Sequence, residues 1–267
     1  MMVFGDPTCH TAFPAPRIAY AARFPYRRAM ALTPAKNAVL EQLGRHPLLH
    51  RLAEDDLRAL VDNATVRVFD QRAEVFAQGD EARSVLVMIH GYVKLSAVTA
   101  GGRDVVLDLV GPGDVFGELG VLTEQSRAAS AIALTPCSVL SIDARPFLAA
   151  LARVPEAMFW VIRLLGQRLN KATQQMTDGL ELPASARLAK TLLELAALQS
   201  RPVADGLQLS LPLSQRELGA MTGLIRESIN KHLGQWREAG WLSRAGRTIT
   251  LHNVSALRRL VAEQGEG

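Results

Sequence analysis

The chain has 267 residues, of which 48% are hydrophobic and 21% are charged; these are ordinary values for a folded soluble protein and leave room for two domains. Its two cysteines are too few for a disulfide scaffold or a four-thiolate iron–sulfur cluster. No apolar run approaches the roughly 18 residues that a membrane span needs, and the N-terminus lacks the apolar core of a secretory signal. We therefore expect a cytoplasmic protein with no membrane contact.

The positive charge is concentrated at the two ends of the chain. Residues 1–37 carry 5 Lys and Arg against 1 Asp, residues 38–183 carry 14 against 18 acidic residues, and residues 184–267 carry 11 against 7. The middle region therefore repels polyanions, whereas the C-terminal region attracts them. This makes nucleic acid a candidate partner, although excesses this small also arise by chance.

A tail, short helices and then a series of strands are predicted along the first half. Residues 1–37 are rich in Pro, Ala and Arg and lack periodicity, so we predict a disordered tail. Leucines at helical spacing predict short helices within residues 34–63. From residue 65 to residue 142 the hydrophobic period changes to two, with turn signals such as Gly111-Pro112-Gly113-Asp114 between the apolar runs. Short strands at this spacing predict a β-barrel or jelly roll.

A long helix is predicted next, over residues 155–178. Its apolar residues step by four and three positions, which is the a/d seam of a coiled coil. The seam residues are Met158, Ile162, Leu165, Leu169, Ala172 and Met176. The seam could pack on its own domain or on a second copy, and the polar residues that flank it favour a homodimer. Asp178-Gly179 and Leu182-Pro183 interrupt the pattern and predict a hinge.

The most informative short stretch lies between two predicted strands, at residues 116–130. Gly117 allows close backbone approach, and Glu118 and Arg127 place a carboxylate and a guanidinium nine positions apart. Backbone N–H groups in a turn can hold an anion, and Arg offers a planar fork to a phosphate. The same two residues could equally form a structural salt bridge.

This stretch resembles the phosphate-binding cassette of cyclic-nucleotide-binding domains at both motif ends and in the spacing between them. The motif residues are Gly117, Glu118, Leu119, Arg127, Ala128 and Ala129. The resemblance implies that Arg127 pairs with a cyclic phosphate, that Glu118 holds the ribose 2′-hydroxyl, and that the backbone of Gly117, Glu118 and Ala129 helps to cradle the anion. It implies a cyclic nucleotide as effector and no obligatory cofactor.

Some positions depart from a cAMP-binding bacterial member of this group. A Ser follows the Arg there, whereas Ala128 follows Arg127 here; the regulatory subunits of the cAMP-dependent protein kinase also carry Arg-Ala-Ala, which favours cAMP over cGMP. Adjacent Thr and Ser residues of the long helix contact adenine there, and the matching positions are Ala172 and Thr173. Arg168 and Thr173 are the helix residues that the resemblance brings to the ligand. The leading effector is cAMP, and a related nucleotide is the alternative.

The C-terminal region predicts a helix-turn-helix followed by a hairpin. Ser214 and Glu217 have the spacing of a capping box, and Thr222-Gly223-Leu224 forms the turn. Residues 226–237 form the second helix, which has one apolar and one polar face. Residues 241–251 alternate around a Gly turn and predict a wing that is basic at its tip.

A helix of this kind fits the major groove, where Arg bonds guanine O6 and N7 and Glu accepts from cytosine N4. The region resembles the C-terminal domain of the Crp–Fnr family of transcription regulators over about residues 184–251, and the whole resemblance spans roughly residues 45–260. It implies base reading by Arg226, Glu227 and Lys231, a homodimer on a palindromic double-stranded operator, and RNA polymerase as a partner. The candidate DNA contacts are Ser214, Gln215, Arg226, Glu227, Ser228, Asn230, Lys231, Arg244 and Arg247.

Together these elements predict an α+β fold: an N-terminal cyclic-nucleotide-binding β-barrel (jelly roll), a long dimerisation helix, and a C-terminal winged helix-turn-helix. We assign residues 38–153 to the sensor domain, 154–183 to the dimerisation helix and hinge, and 184–267 to the DNA-binding domain. The predicted function is a ligand-responsive transcription regulator.

The alternatives are a regulator that responds to another ligand or to none, and a cyclic-nucleotide-binding regulatory subunit of an enzyme. The helix-turn-helix argues against the second. The sequence contains no Ser/His/Asp order, metal-ligand cluster or Walker loop, so we predict no catalytic site and no metal site.

Overall fold

The computed structural model describes residues 54–62, 64–99 and 101–263, and the predicted N-terminal tail lies outside these ranges. The first described element is helix α1 (Glu54–Asp62), one of the predicted short helices. Eight strands follow in the described part of the N-terminal half: β1 (Thr65–Phe69), β2 (Glu74–Phe76), β3 (Ser84–His90), β4 (Val93–Val98), β5 (Asp104–Val110), β6 (Val115–Phe116), β7 (Ser130–Ala133) and β8 (Cys137–Asp143). Helix α2 (Glu118–Leu122) lies between β6 and β7, and α3 (Ala144–Arg153) follows β8.

The strands form two four-stranded antiparallel sheets, with strand orders β1-β8-β3-β6 and β2-β7-β4-β5. Strand β3 shows why the sheets pack together. Its Leu86 and Met88 lie in the apolar core between the sheets, whereas Val85 and Val87 pack on the other side against the helices. Because both faces of β3 are covered, its sequence is a continuous apolar run rather than an alternating one.

The long helix α4 (Pro155–Glu181) has 27 residues, which makes it about 40 Å long at 1.5 Å per residue. The predicted break at Gly179 is wrong, because the helix continues through Gly179 and ends before Leu182. A glycine inside a helix costs only about 1 kcal/mol. The residue before a proline is instead pushed out of the helical region, and Leu182, which precedes Pro183, is extended with ψ 134°.

One face of α4 is left open in the single chain. Leu165 of the predicted seam packs partly against the sensor core, but most of the other large apolar side chains on the helix are exposed. The exposed side chains are Met158, Phe159, Ile162, Leu169, Met176 and Leu180. The seam therefore does not close on its own domain.

The C-terminal half begins with α5 (Ala184–Leu198). The remaining elements are β9 (Ser200–Val203), β10 (Gly206–Leu209), α6 (Gln215–Thr222), α7 (Arg226–Glu238), β11 (Leu242–Ala245), β12 (Thr248–Leu251) and α8 (Val254–Ala262). The predicted hairpin wing, β11–β12, is present, and the sheet order β11-β12-β10-β9 extends it to four strands. The short strands β9 and β10 were not predicted from the sequence, although apolar residues alternate from Leu207 to Leu213 at β10.

The two halves of the chain touch through apolar side chains. Leu134 of the N-terminal half is buried in the same cluster as the core of the C-terminal half, and Tyr92 and Leu109 pack against that cluster. Helix α6 lies next to β5, the strand that carries Leu109. The predicted fold class is confirmed: antiparallel sheets, then a long helix, then a helix-turn-helix with a wing.

Candidate ligand and DNA-binding sites

Gly117 forms the turn between β6 and α2 in a conformation that favours glycine. Its φ is +74°, in the left-handed region. A Cβ at this position would lie 2.5 Å from Nη1 of Arg127. A glycine is required both by the backbone angle and by the close approach of the guanidinium.

The side chain of Arg127 is buried, with 6% of its surface exposed. Its Nη1 donates to the carbonyl oxygen of Gly117 at 2.5 Å, and its Nη2 donates to that of Ser84 at 2.7 Å. The guanidinium carbon lies 4.3 Å from the centre of the Phe76 ring, and Nε has no hydrogen-bond partner among the described residues. Burial lowers the pKa of Arg127, and Asp80 and Glu118 oppose that shift. Arg127 is thus a buried cation whose acceptors in the described part of the chain are neutral oxygens.

Glu118, the first residue of α2, connects the cassette to the long helix. It is 1% exposed, and its Oε1 forms an ion pair with Nη1 of Arg168 on α4. Nη2 of Arg168 also donates to the carbonyl oxygen of Val115 at 2.6 Å. Within the described residues Oε2 of Glu118 has no partner, so this buried oxygen is free to accept a hydrogen bond from a ligand hydroxyl.

A cavity of about 220 Å³ lies between β5 and α4 and is lined in part by Arg168. Its lining residues are Asp108, Leu109, Val110, Asp114, Leu164, Gln167, Arg168 and Lys171. The carboxylate of Asp108 lies 2.5 Å from Nζ of Lys171 and 3.8 Å from Nε of Arg168. Burial raises the pKa of Asp114, while the backbone N–H of Gly111 opposes the shift. The cavity is therefore lined by carboxylates and cations rather than by apolar groups alone.

The structure brings Gly117 to Arg127 and Glu118 to Arg168, and of these four residues Arg168 is the one that also lines the cavity. Thr173 is exposed, and its hydroxyl donates to the carbonyl oxygen of Leu169 one turn earlier. Three further cassette residues lie nearer to solvent: Leu119 and Ala128 are exposed and Ala129 is partly buried.

The positions of Asp108 and Lys171 in the cavity lining were not predicted from the sequence. The sequence does contain a signal for Asp108. Its carboxylate interrupts the apolar run of β5, Asp104–Val110, and a charge in such a run needs a partner.

The capping box that opens α6 also holds the wing. Oγ of Ser214 accepts from the Glu217 N–H at 3.2 Å, and Oε2 of Glu217 accepts from the Ser214 N–H at 2.6 Å. The same oxygen accepts from Nη2 of Arg247 at 3.0 Å. Burial raises the pKa of Glu217, but the hydrogen bonds from Ser214 and the charge of Arg247 outweigh it, so the net pKa is lowered. Of the predicted wing residues, Arg247 is thus ion-paired to α6, and Arg244 donates through Nε to Gly246 O at 2.9 Å.

Helix α7 separates its polar and apolar residues as predicted. Ile229, Leu233 and Trp236 are buried in the core of the domain. The exposed side is formed by Arg226, Glu227, Asn230 and Lys231, with Ser228 partly buried beside them. Gln215 at the start of α6 is close enough to hydrogen-bond both Arg226 and Asn230. The predicted DNA contacts on the two helices therefore form one surface.

None of the helices in the described ranges is both long and apolar enough to span a membrane. Among the same residues, no cluster of His, Cys, Asp and Glu side chains could hold a metal ion.

Comparison with known proteins matches both halves of the chain. Residues 66–154 match the model of the cyclic nucleotide-binding domain, and residues 186–260 match that of the Crp-like helix-turn-helix domain. A CRP-like cAMP-activated global transcriptional regulator of Mycobacterium tuberculosis is 27% identical over 219 residues, which cover 82% of this chain and 98% of that protein. A global nitrogen regulator of Synechocystis is 30% identical over 194 residues, covering 72% and 86%. The solved structure of FixK2 from Bradyrhizobium japonicum has a TM-score of 0.64 at 27% identity, and the match covers 74% of this chain and 96% of FixK2.

Proposed function

Because the chain belongs to the Crp–Fnr family of transcription regulators, we propose that it binds cAMP at Arg127 and Glu118 and, as a homodimer, reads a palindromic DNA site with two copies of α7. The chain contains a cyclic nucleotide-binding domain and a DNA-binding helix-turn-helix, and it is a transcription regulator rather than an enzyme. The proposal concerns which ligand it senses, its assembly and the form of its DNA site.

The observation that carries the ligand proposal is the burial of Arg127 beside the Gly117 turn. Within the described residues the Arg127 guanidinium hydrogen-bonds to neutral oxygens and to no carboxylate; a cyclic phosphate would supply a directly bonded anion with fork-shaped geometry. The buried Oε2 of Glu118 has no partner among the described residues, which suits a ribose hydroxyl. The M. tuberculosis relative is described as cAMP-activated, which favours cAMP as the nucleotide.

The dimer proposal rests on the exposed apolar face of α4. Water-exposed Leu169, Met176 and Leu180 are unfavourable on a monomer, and a second copy of the same helix would cover them in coiled-coil fashion. The two copies of α7 would then have to lie about 34 Å apart, one turn of DNA, to enter successive major grooves. A contact with RNA polymerase remains a prediction from the family resemblance.

A route from ligand to DNA follows from β5 and α4. Asp108 on β5 lines the cavity, and its neighbour Leu109 packs against the core of the DNA-binding domain. Arg168 links Glu118 to α4, which leads to the break at Leu182-Pro183. A ligand that binds more tightly to one arrangement of β5 and α4 than to another would favour that arrangement and so shift the position of α7.

Isothermal titration calorimetry with cAMP tests the ligand proposal. We expect saturable binding to the wild-type chain and a loss of at least tenfold in affinity for Arg127→Ala, because the buried cation is the phosphate partner. Arg83→Ala is the matched control, since Arg83 is an exposed arginine next to Ser84 and its loss should leave the affinity unchanged. Absence of saturable binding to the wild-type chain, by calorimetry and by a second method that does not depend on heat, would refute cAMP as the ligand.

A further inference from the structure

Gln215, the first residue of α6, contacts two side chains of α7. Its Oε1 accepts a hydrogen bond from Nε of Arg226 at 3.0 Å, and its Nε2 donates to Oδ1 of Asn230. Arg226 and Asn230 are four residues apart and therefore lie on the same exposed face of the helix. We propose that Gln215 is a positioning residue that sets Arg226 for base recognition, an inference that rests on the proposed base contact of Arg226.

The contact with Gln215 leaves the terminal nitrogens Nη1 and Nη2 of Arg226 available for a base. A guanidinium has five N–H donors, and the bond to Gln215 uses the one on Nε. A guanine in the major groove presents O6 and N7 to two parallel donors, which the terminal Nη1 and Nη2 can supply. Because the guanidinium is planar, a bond at Nε also fixes the plane in which those two nitrogens lie.

The second contact restricts Gln215 itself. Its amide binds Arg226 through oxygen and Asn230 through nitrogen, so a rotation that breaks one contact also breaks the other. Its backbone is adjacent to Ser214, whose N–H and Oγ are both engaged in the capping box. We call the hydrogen-bonded group of Gln215, Arg226 and Asn230 the clasp. It joins α6 to α7, and the capping box fixes the backbone next to Gln215.

The effect of the clasp should appear on DNA rather than in the free protein. All three side chains lie at the surface, where water competes for their hydrogen bonds and each contributes little to folding. When DNA covers this surface the water leaves, and an arginine that is already oriented loses less conformational freedom than a free one. The expected consequence is discrimination between bases.

A direct phosphate contact by Gln215 makes the opposite prediction. Phosphate contacts orient the protein without reading sequence, so their loss weakens binding to every sequence by the same factor. The clasp predicts a loss confined to the base pair that Arg226 reads.

The test uses the full-length chain and a DNA site obtained by in vitro selection from random sequence. Fluorescence anisotropy at one fixed salt concentration gives Kd for the selected site and for each single base-pair variant, and Arg226→Ala identifies the base pair that Arg226 reads. At that base pair we expect Gln215→Ala to reduce discrimination about 5- to 30-fold, with a change below about 2-fold on unrelated DNA. We expect the double variant Gln215→Ala/Arg226→Ala to discriminate no worse than Arg226→Ala alone, because the two residues act as one unit.

Two further variants separate positioning from general effects. Gln215→Glu keeps an acceptor for Nε of Arg226, so it should retain the discrimination even though its negative charge weakens binding to all DNA. Arg216→Ala removes an exposed cation from the neighbouring position of α6; it should weaken all sequences alike and retain the discrimination. Thermal unfolding of Gln215→Ala by circular dichroism should match that of the wild type.

The inference is overturned if Gln215→Ala lowers affinity equally on every sequence, if its loss adds to that of Arg226→Ala, or if Gln215→Glu discriminates as poorly as Gln215→Ala. Failure of the proposed function gives a different result. In that case the wild-type chain selects no DNA sequence, or Arg226→Ala changes no base preference.

Discussion

The ligand cassette and the DNA-reading surface use the same residue types in opposite surroundings. Glu118 and Arg127 are 1% and 6% exposed, whereas Arg226 and Glu227 project into solvent from α7. A buried charge is costly unless it has compensating partners, whereas an exposed charge is solvated and needs none. Under the proposed function the ligand would supply partners that Arg127 and Oε2 of Glu118 lack within the described residues, while DNA binding would mainly remove water.

The ion pair of Glu118 connects the cassette to another element of the fold. The internal partner of Glu118 is Arg168 on α4, so a ligand bound at Glu118 would act directly on the long helix. Arg226 and Asn230 of α7 instead contact Gln215 at the surface. The buried site is suited to sensing and the exposed surface to reading.

The largest effect is expected from breaking the buried ion pair. Arg168→Ala would leave the carboxylate of Glu118 buried without its cation, and we expect the free energy of unfolding to fall by about 3 kcal/mol. Urea-induced unfolding followed by circular dichroism measures the change.

Lys171→Ala is the matched control for this variant. It removes a cation from the next turn of α4, but Lys171 is 45% exposed and its partner Asp108 is 21% exposed, so we expect a loss below about 1 kcal/mol. Equal losses for the two variants would show that burial of Glu118 does not determine the stability lost when its partner is removed.

An intermediate effect is expected at the start of α6. Ser214→Ala removes the side-chain acceptor of the capping box, and we expect a loss of about 1 kcal/mol in the free energy of unfolding. Ser214→Asp supplies another good cap and should recover most of it. If Ser214→Ala unfolds at the same urea concentration as the wild type, the box does not support the DNA-reading surface.

The smallest effect is a pH dependence from Glu217. Its folded pKa is lowered below the ordinary value, so its stabilising contribution is present above about pH 4.3, the ordinary pKa of Glu, and is lost as pH falls through the lowered folded value. We expect the wild type to lose up to about 1 kcal/mol in this acid range relative to Glu217→Gln, which cannot titrate there. Urea unfolding at pH 7 and at pH 3.5 measures the difference, and parallel losses in both proteins would contradict the assignment.

Much of the architecture could be predicted from the sequence because it depends on local patterns. The change of hydrophobic period from two to seven located the sheets and α4, and Ser214 with Glu217 located the start of α6. Gly179 misled the prediction, since a glycine inside a long helix costs only about 1 kcal/mol, whereas Pro183 sterically disfavours the helical conformation at Leu182. Strands β9 and β10 were not predicted because each has only four residues, and their place in the sheet depends on the pairing of β10 with β12 and of β9 with β10.

The residues of the ligand and DNA sites were also predictable only in part from the sequence. The sequence by itself determined that Glu118 and Arg127 lie at cassette spacing and that Arg226, Glu227, Asn230 and Lys231 share a helix face, because both follow from the separation of residues along one short segment. Only the tertiary structure decided that Arg168 pairs with Glu118, that Asp108 and Lys171 line a cavity, and that Gln215 holds Arg226. Each of these contacts joins elements that are distant in sequence, and their meeting depends on how the sheets and helices pack.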